Sequence, residues 1–334
     1  MTLRSREVRL KRRPVGTPVL EDFELAEAEV PSPAAGHVQV RNAWMSVDPY
    51  MRGRMSDRPS YVPPFELGKA MQGGAVGEVV ASQADGFAPG DLVLSMYGWR
   101  EAYVAPSDQL QKLQTFGLPP QAFLGVAGMP GLTAWVGLLR IAELKGGETV
   151  FVSAAAGAVG SVACQIAKAM GCTVIGSAGG PEKVAFLREI GVDEAIDYKA
   201  EADLRAALSR AAPKGIDVYF DNVGGDHLEA AMAAARPYAR LALCGMISQY
   251  NETEAAAGPS NMMLIVGKRL RLQGFIVSDH MKETPAFLQD MARWVQEGRV
   301  RSRETVEEGI ENAPAAFLKL FTGENIGKML VKLS

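Results

Sequence analysis

A chain of 334 residues that is 48% hydrophobic, 22% charged and 7% aromatic has ordinary globular composition, with length for about two domains with real cores. A net charge of −3 and a pI near 5.8 exclude a whole-protein attraction to nucleic acid. Three cysteines (Cys164, Cys172, Cys244) and three histidines (His37, His227, His280) lack the spacings of a disulfide framework or a structural zinc site, so no metal is expected. No long apolar run and no apolar N-terminal signal occur, so a cytoplasmic chain with no membrane or nucleic-acid partner is expected.

The first 124 or so residues read as short strands and turns. "VRLKRRPVG" starts a strand in a basic stretch (Arg4, Arg6, Arg9, Lys11, Arg12, Arg13) that reads as a solvated first strand. "HVQVRNAWMSV", "GGAVGEVVAS" and "GDLVLSM" are further strands, the last two joined by the turn-rich "QADGFAPG". Near Phe123 the pattern turns helical, with Pro130 opening a helix that Gly146-Gly147 ends. Then strands and helices alternate: "ETVFVSAAAG", "AVGSVACQIAKAM", "GCTVIGSAG", "PEKVAFLREIG", "DEAIDY", "EADLRAALSRAA", "GIDVYFDNVGG", "HLEAAMAAARPY", "ARLALCG". Such alternation predicts βαβ units on a parallel sheet. "NETEAAAGPS" reads as a loop, "LRLQGFIV" as a strand, and "PAFLQDMARWVQEG" as a helix. The chain closes with a strand near Thr305–Ile310, a helix "APAAFLKLFTG" and a strand "GKMLVKL".

"SAAAGAVGS" is the strongest local signal, because it follows a predicted strand and opens a predicted helix. Small residues stand at Ala154, Gly157 and Gly160. Gly157 lets the backbone approach a pyrophosphate, Gly160 allows close helix–strand packing, and the amides of the Ala156–Gly160 segment, with Ala158 and Val159, face the diphosphate. The second strand, "TVIGSAGGPEK", carries no acid between Thr173 and Pro181. A carboxylate there would bond the ribose of NAD and repel a 2′-phosphate. Ser177, Gly179 and Gly180 offer room and amides, and Lys183 offers a cation, so NADPH/NADP+ is the expected cofactor. Asn222 in "FDNVGG" and Cys244, Gly245 and Ile247 in "CGMISQYN" end the fourth and fifth strands, at the carboxyl edge where ligands bind.

"DPYMRGRM", "GSAGGPEK", "DNVGG", "CGMISQYN" and "NIGKMLV" together resemble the medium-chain dehydrogenase/reductase superfamily over nearly the whole chain. Within it the chain is similar to the zinc-free branch of prostaglandin reductase (leukotriene B4 12-hydroxydehydrogenase), plant alkenal double-bond reductase and bacterial curcumin reductase. The resemblance implies an α/β fold: a β-rich, GroES-like catalytic domain from residues 1–124 and 305–334, and a Rossmann doubly wound parallel-sheet nucleotide domain from residues 125–304. It implies that Lys183 and Tyr198 hold the 2′-phosphate, Asn222 lies along the cofactor, and Asn325 closes on it. Tyr250 is implied to sit near the nicotinamide and the substrate oxygen, and Tyr50 to line the substrate pocket. Phe275, Val277 and Gly327 complete the candidate cofactor set. Gly180 replaces a serine frequent in the family, and "LGKAMQGG" stands where the zinc branch has Gly-His-Glu.

The expected reaction is hydride transfer to the β carbon of an α,β-unsaturated ketone or aldehyde, with no metal. The carbonyl oxygen then needs hydrogen-bond donors, and Tyr250 and Tyr50 are the candidate catalytic residues. Tyr50, Arg52, Tyr61, Tyr97 and Tyr250 are candidate substrate contacts, within a wider apolar set of Trp44, Met51, Met96 and Trp99, and Arg52 or Arg54 could meet a carboxylate tail. A quinone reductase of the same superfamily is the alternative. Relatives form homodimers, and "LRLQGFIV" could extend a sheet across a two-fold axis.

Overall fold

The computed structural model describes residues 3–333. Contacts along its backbone divide the chain into two compact units. One is Met1–Leu124 with Glu304–Asn325 and Met329–Ser334; the other is Gly125–Arg303 with Ile326–Lys328.

The first unit opens on strands β1 (Leu3–Leu10) and β2 (Phe23–Val30), antiparallel along their whole length. β1 starts earlier than its apolar residues suggest because its charges are matched across the ribbon. Arg4 stands opposite Glu29, Arg6 opposite Glu27 and Arg9 opposite Glu24. Arg6 also donates to Glu101 and Glu311, and Arg12 to Asp22, so much of the basic stretch is neutralised within the unit. β2 escapes sequence reading for the same reason: its glutamates look like a solvated loop until the arginines face them.

Next come β3 (His37–Ser46), the single-turn helix α1 (Met51–Arg54), β4 (Ala75–Ser82), β5 (Leu92–Ser95), β6 (Ala102–Pro106) and β7 (Gln111–Lys112). Met51 and Trp99, candidates for a pocket wall, are fully buried in the core with Val8, Leu10, Met45 and Phe317. Trp99 stacks on Phe23 at 6.2 Å between ring centroids.

In the second unit α2 (Met129–Val136) has Pro130 in its first turn and runs on into a π turn, Gly137–Ile141. Then follow β8 (Thr149–Val152), α3 (Ala158–Ala169), β9 (Thr173–Ala178), α4 (Pro181–Glu189), β10 (Glu194–Asp197), α5 (Leu204–Ala211), β11 (Ile216–Asp221), α6 (Gly225–Ala234), β12 (Ala235–Leu243), α7 (Met263–Lys268), β13 (Arg271–Gly274) and α8 (Thr284–Gln296). The sheet order is β10-β9-β8-β11-β12-β13, and each strand runs parallel to its neighbours. This is the doubly wound arrangement, with its topological switch point between β8 and β11.

One local expectation is corrected, and one element carried no expectation. The helix "HLEAAMAAARPY" stops at Ala234, and Ala235 already pairs with Ile216 in the sheet. Pro237 disfavours helical backbone at Arg236, which ends the turn there. Helix α7 lies in a short apolar run, Met263–Lys268, too brief for its periodicity to be read.

The chain returns to the first unit through β14 (Glu304–Glu308), α9 (Ala313–Thr322) and β15 (Lys328–Lys332). They extend the first unit's sheet to the order β14-β15-β3-β4-β5-β7, with β6 against β3. Among the described residues no helix is long and apolar enough to cross a membrane.

Candidate active site

The carboxyl ends of the parallel strands bring most of the candidate cofactor residues into one unit. After β8 the chain turns through Ala154, whose φ of 46° is left-handed where the common fingerprint carries glycine. Gly157 caps α3, and its N–H donates to the Ala154 carbonyl at 2.9 Å. A Cβ at Gly160 would fall 2.3 Å from that same carbonyl oxygen, so helix and turn can close only on a glycine. The amides of Ala158 and Val159 lie in the first turn of α3, where an intrahelical partner is missing by construction.

The C-terminal segment reaches this turn. The Gly327 N–H donates to the Ala156 carbonyl at 2.8 Å, and Gly327 bridges Gly157. Gly327 has φ 68°, and a Cβ there would lie 2.0 Å from the Arg303 carbonyl oxygen. Gly327→Ala is therefore expected to cost about 2–4 kcal/mol of stability through overpacking and left-handed strain. Thermal and denaturant unfolding check this; a melting temperature unchanged from wild type would contradict it. Asn325 is buried in the first unit.

At the end of β9 the Ser177 hydroxyl is buried without a hydrogen-bond partner. Gly180 has φ 98° and ψ 156°, a conformation reserved for glycine, so the family's serine would be strained here. The Gly180 N–H donates to Asp197 Oδ1 at 2.9 Å, and the Lys199 N–H donates to the same oxygen at 3.1 Å. This fold-back lays Tyr198 and Lys199 over Gly179, where a Cβ would meet Lys199 Cε at 2.8 Å and Tyr198 Cζ at 3.1 Å. Burial first, and then the Lys199 ammonium, push the Lys183 ammonium below its ordinary value. Two cations and a phenol thus converge on one corner. Lys199 was missed in the sequence, although it adjoins Tyr198, because strand-end residues carry no periodic signal.

His227, at the start of α6, meets the edge of the Tyr198 ring at 5.2 Å and stacks on Phe151 at 6.5 Å. Its Nε2 is buried without a partner, and burial pushes the imidazole down to about 4 from 6.5. Between these values the unfolded chain takes up a proton that the folded chain refuses. Stability is therefore full above about pH 6.5 and falls by about 3 kcal/mol as the pH drops to about 4. His227→Phe keeps the ring and is expected to flatten that slope in urea titrations; an unaltered slope would count against it.

Behind the loops lies a buried polar network. Asp221 Oδ1 accepts from the Tyr219 hydroxyl at 2.7 Å and from the Val223 and Gly224 N–H groups at 2.9 and 2.8 Å. Its carbonyl accepts from the N–H groups of Cys244 and Gly245. The Asn222 N–H donates to Ser153 Oγ and its Nδ2 to the Ser153 carbonyl, leaving Oδ1 as the acceptor that can meet a ligand. The Ile247 N–H donates to the Asn222 carbonyl, which zips the two strand-end loops together.

Cys244, Gly245 and Phe275 line a cavity of about 450 Å³ with Leu243, Met246, Gly274, Ile276 and Asp279. Val277 follows directly, at the start of a 3-10 turn. Burial first, and then Asp221, push the Cys244 thiol up to about 12, so it is no nucleophile at neutral pH. The Tyr250 hydroxyl sits 2.8 Å from where a Cβ on Gly245 would stand, at the margin of this cavity.

The other candidates belong to the first unit. Tyr50 precedes α1, and its buried hydroxyl has no hydrogen bond of good geometry among the described residues. Burial pushes its phenol well above the ordinary value, so it stays protonated. Arg52 Nη2 donates to the Gly16 carbonyl at 2.8 Å. Tyr61 is exposed. Tyr97 stacks on Tyr103 at 4.6 Å, with its hydroxyl bonded to Gln109. Trp44 packs against the cluster of Val76, Leu124 and Leu330, and Met96 is exposed. Arg54, rather than Arg52, is the arginine beside Tyr50.

Among the described residues no group of three or more His, Cys, Asp or Glu side chains is placed to hold a metal ion. Glycine cradles, a buried orphan hydroxyl and a two-lysine corner instead suit a dinucleotide with an added phosphate.

Residues 6–113 match the family described as the N-terminal domain of oxidoreductase, and residues 158–294 the family described as zinc-binding dehydrogenase. The NADPH-dependent curcumin reductase of Escherichia coli is 43% identical, over 99% of this chain and 97% of its own length. The NADP(+)-dependent 2-alkenal reductase of Nicotiana tabacum is 43% identical, over 99% of this chain and 98% of its own. The crystal structure of CurA in complex with NADPH from Vibrio vulnificus superposes with a TM-score of 0.93 at 43% identity, covering 98% of this chain and 99% of that one. The chain thus belongs to the medium-chain dehydrogenase/reductase superfamily, in the zinc-free branch of prostaglandin, curcumin and alkenal reductases, and is an NADPH-dependent reductase.

Proposed function

We propose that this enzyme saturates the carbon–carbon double bond of α,β-unsaturated ketones and aldehydes. The observation that carries the reading is the Tyr250 hydroxyl seated on Gly245 at the margin of the 450 Å³ cavity, a donor beside a space of small-molecule size. NADPH, when bound, supplies the hydride that the β carbon of the substrate accepts.

The chain's own residues do the rest. Ala156–Gly160 and Gly327 cradle the diphosphate. Ser177, Gly179, Lys183, Tyr198 and Lys199 take the ribose and its 2′-phosphate. Asn222, Cys244, Gly245, Ile247, Phe275 and Val277 enclose the remaining length. Tyr250 donates a hydrogen bond to the substrate carbonyl oxygen as negative charge gathers there, and the α carbon of the resulting enolate takes its proton from solvent. Within the first unit, Arg52 donates to the Gly16 carbonyl and Tyr97 is bonded to Gln109, and Tyr50 and Tyr61 are kept as candidate substrate contacts.

NADPH consumption with an enone, an enal and a quinone tests this reading. Turnover of the enone and enal is expected; turnover confined to the quinone would overturn it.

We also propose a homodimer built on β13, whose only partner in the sheet among the described residues is β12. Sedimentation at micromolar concentration is expected to give about 71 kDa, twice the 35.7 kDa chain; a monomer alone would contradict it.

A further inference from the structure

His227 is the third residue of α6 and is 6% exposed. The helix springs directly from the Asn222 loop. Gly224 and Gly225 turn the chain there at φ 73° and 49°, and the Gly224 N–H donates to Asp221 Oδ1 at 2.8 Å. The imidazole is therefore carried on backbone anchored to the sheet. Its neighbours are rings. It stacks on Phe151 at 6.5 Å with 7° between the planes, and Phe151 stacks on Tyr219 at 5.1 Å. It also meets Tyr198 at 5.2 Å with the planes at 78°.

Tyr198 follows β10 and is 39% exposed. Among the described residues His227 is the only ring that it meets. The Tyr198 N–H donates to the Ala178 carbonyl at 3.2 Å, and its Cζ lies 3.1 Å from where a Cβ on Gly179 would stand. The phenol thus rests on a bare glycine and on the imidazole. A half-exposed side chain without such a support spreads over several rotamers, and a ligand must then order it. Burial pushes the imidazole down to about 4, so at neutral pH it carries no charge for a phosphate. Its Nε2 has no partner, so no hydrogen bond from that atom holds the ring in place. What His227 offers Tyr198 is a flat ring in edge-to-face contact.

We propose that His227 is a positioning residue for cofactor choice: its ring holds the Tyr198 phenol on Gly179, where the hydroxyl meets the 2′-phosphate of NADPH. The proposal rests on the assignment of Tyr198 to that phosphate made above. It makes the start of α6, and through it the Asn222 loop, part of the discrimination against NADH.

The test is calorimetric titration of the full chain with NADP+ and with NAD+, which needs no turnover. His227→Ala is expected to weaken NADP+ about tenfold and NAD+ less than about twofold. His227→Phe, which restores a flat ring, is expected to bind both as the wild type does. In a Tyr198→Phe background, His227→Ala is expected to weaken NADP+ by less than about twofold further, because the hydroxyl it positions is gone. Equal weakening of both nucleotides, as for a merely structural role, would overturn the proposal. So would a loss that persists undiminished in the Tyr198→Phe background. If His227→Ala does not fold, His227→Leu, which fills the volume without a flat ring, is read in its place with the same expectations. Tyr198→Phe alone separates the two claims. Weaker NADP+ there, with none of the loss in His227→Ala, removes the positioning role and keeps the phosphate assignment; unchanged NADP+ in Tyr198→Phe removes both.

Discussion

Replacing Lys183 by alanine is expected to lower kcat/KM for NADPH by about tenfold to over a hundredfold, while kcat/KM for NADH stays nearly unchanged. The second strand itself ends without the acid that would bond the ribose of NAD and repel a 2′-phosphate, and the nearby Asp197 carboxylate is held by the Gly180 and Lys199 N–H groups. Lys183 lies in the first turn of α4, where free amides add to its charge. Its ammonium is already depressed by burial and by Lys199, so a phosphate carrying close to two charges relieves both penalties. Hydrogen bonds to charged groups contribute about 1.5–3 kcal/mol each, which sets the range. Lys199→Ala is expected to act in the same direction with a smaller effect, because Lys199 is more exposed. The double variant should fall short of the product of the two, since both lysines address one phosphate. Steady-state kinetics with both cofactors reads this directly. Equal use of NADH by the unmodified enzyme would defeat it.

Tyr250→Phe is expected to lower enone turnover by about 10²–10³ if its hydroxyl is the principal donor to the developing oxyanion. NADPH binding should remain intact. Gly245→Ala provides an independent route to the same result. Its added Cβ would stand 2.8 Å from the Tyr250 hydroxyl and displace it without removing the group. Single-turnover rates and NADPH titration of both variants separate loss of chemistry from loss of binding. Unchanged turnover in Tyr250→Phe would move the oxyanion role to another donor.

Most of the nucleotide unit was legible because its signals are local and repeated. Buried strands such as Thr149–Val152 and Ile216–Asp221 alternate with helices opened by Gly157 or Pro181, and that rhythm admits few topologies. Gly157 and Gly160 could be read from their place between strand and helix. What stayed hidden depends on partners distant in sequence. β2 looks like loop until Arg4, Arg6 and Arg9 face its glutamates. Lys199 joins Lys183 only because Asp197 folds the chain back onto Gly180. His227 reads as one isolated histidine, and its meeting with Tyr198 and Phe151 follows from the sheet order alone.

The central claim is that hydride reaches the β carbon of an enone. The direct measurement is the position of the label after turnover with NADPH deuterated at nicotinamide C4, read by NMR of the product from non-3-en-2-one. Deuterium on the β carbon of a saturated ketone is the predicted result. Deuterium on the carbonyl carbon of an allylic alcohol, or an unlabelled product, would contradict it.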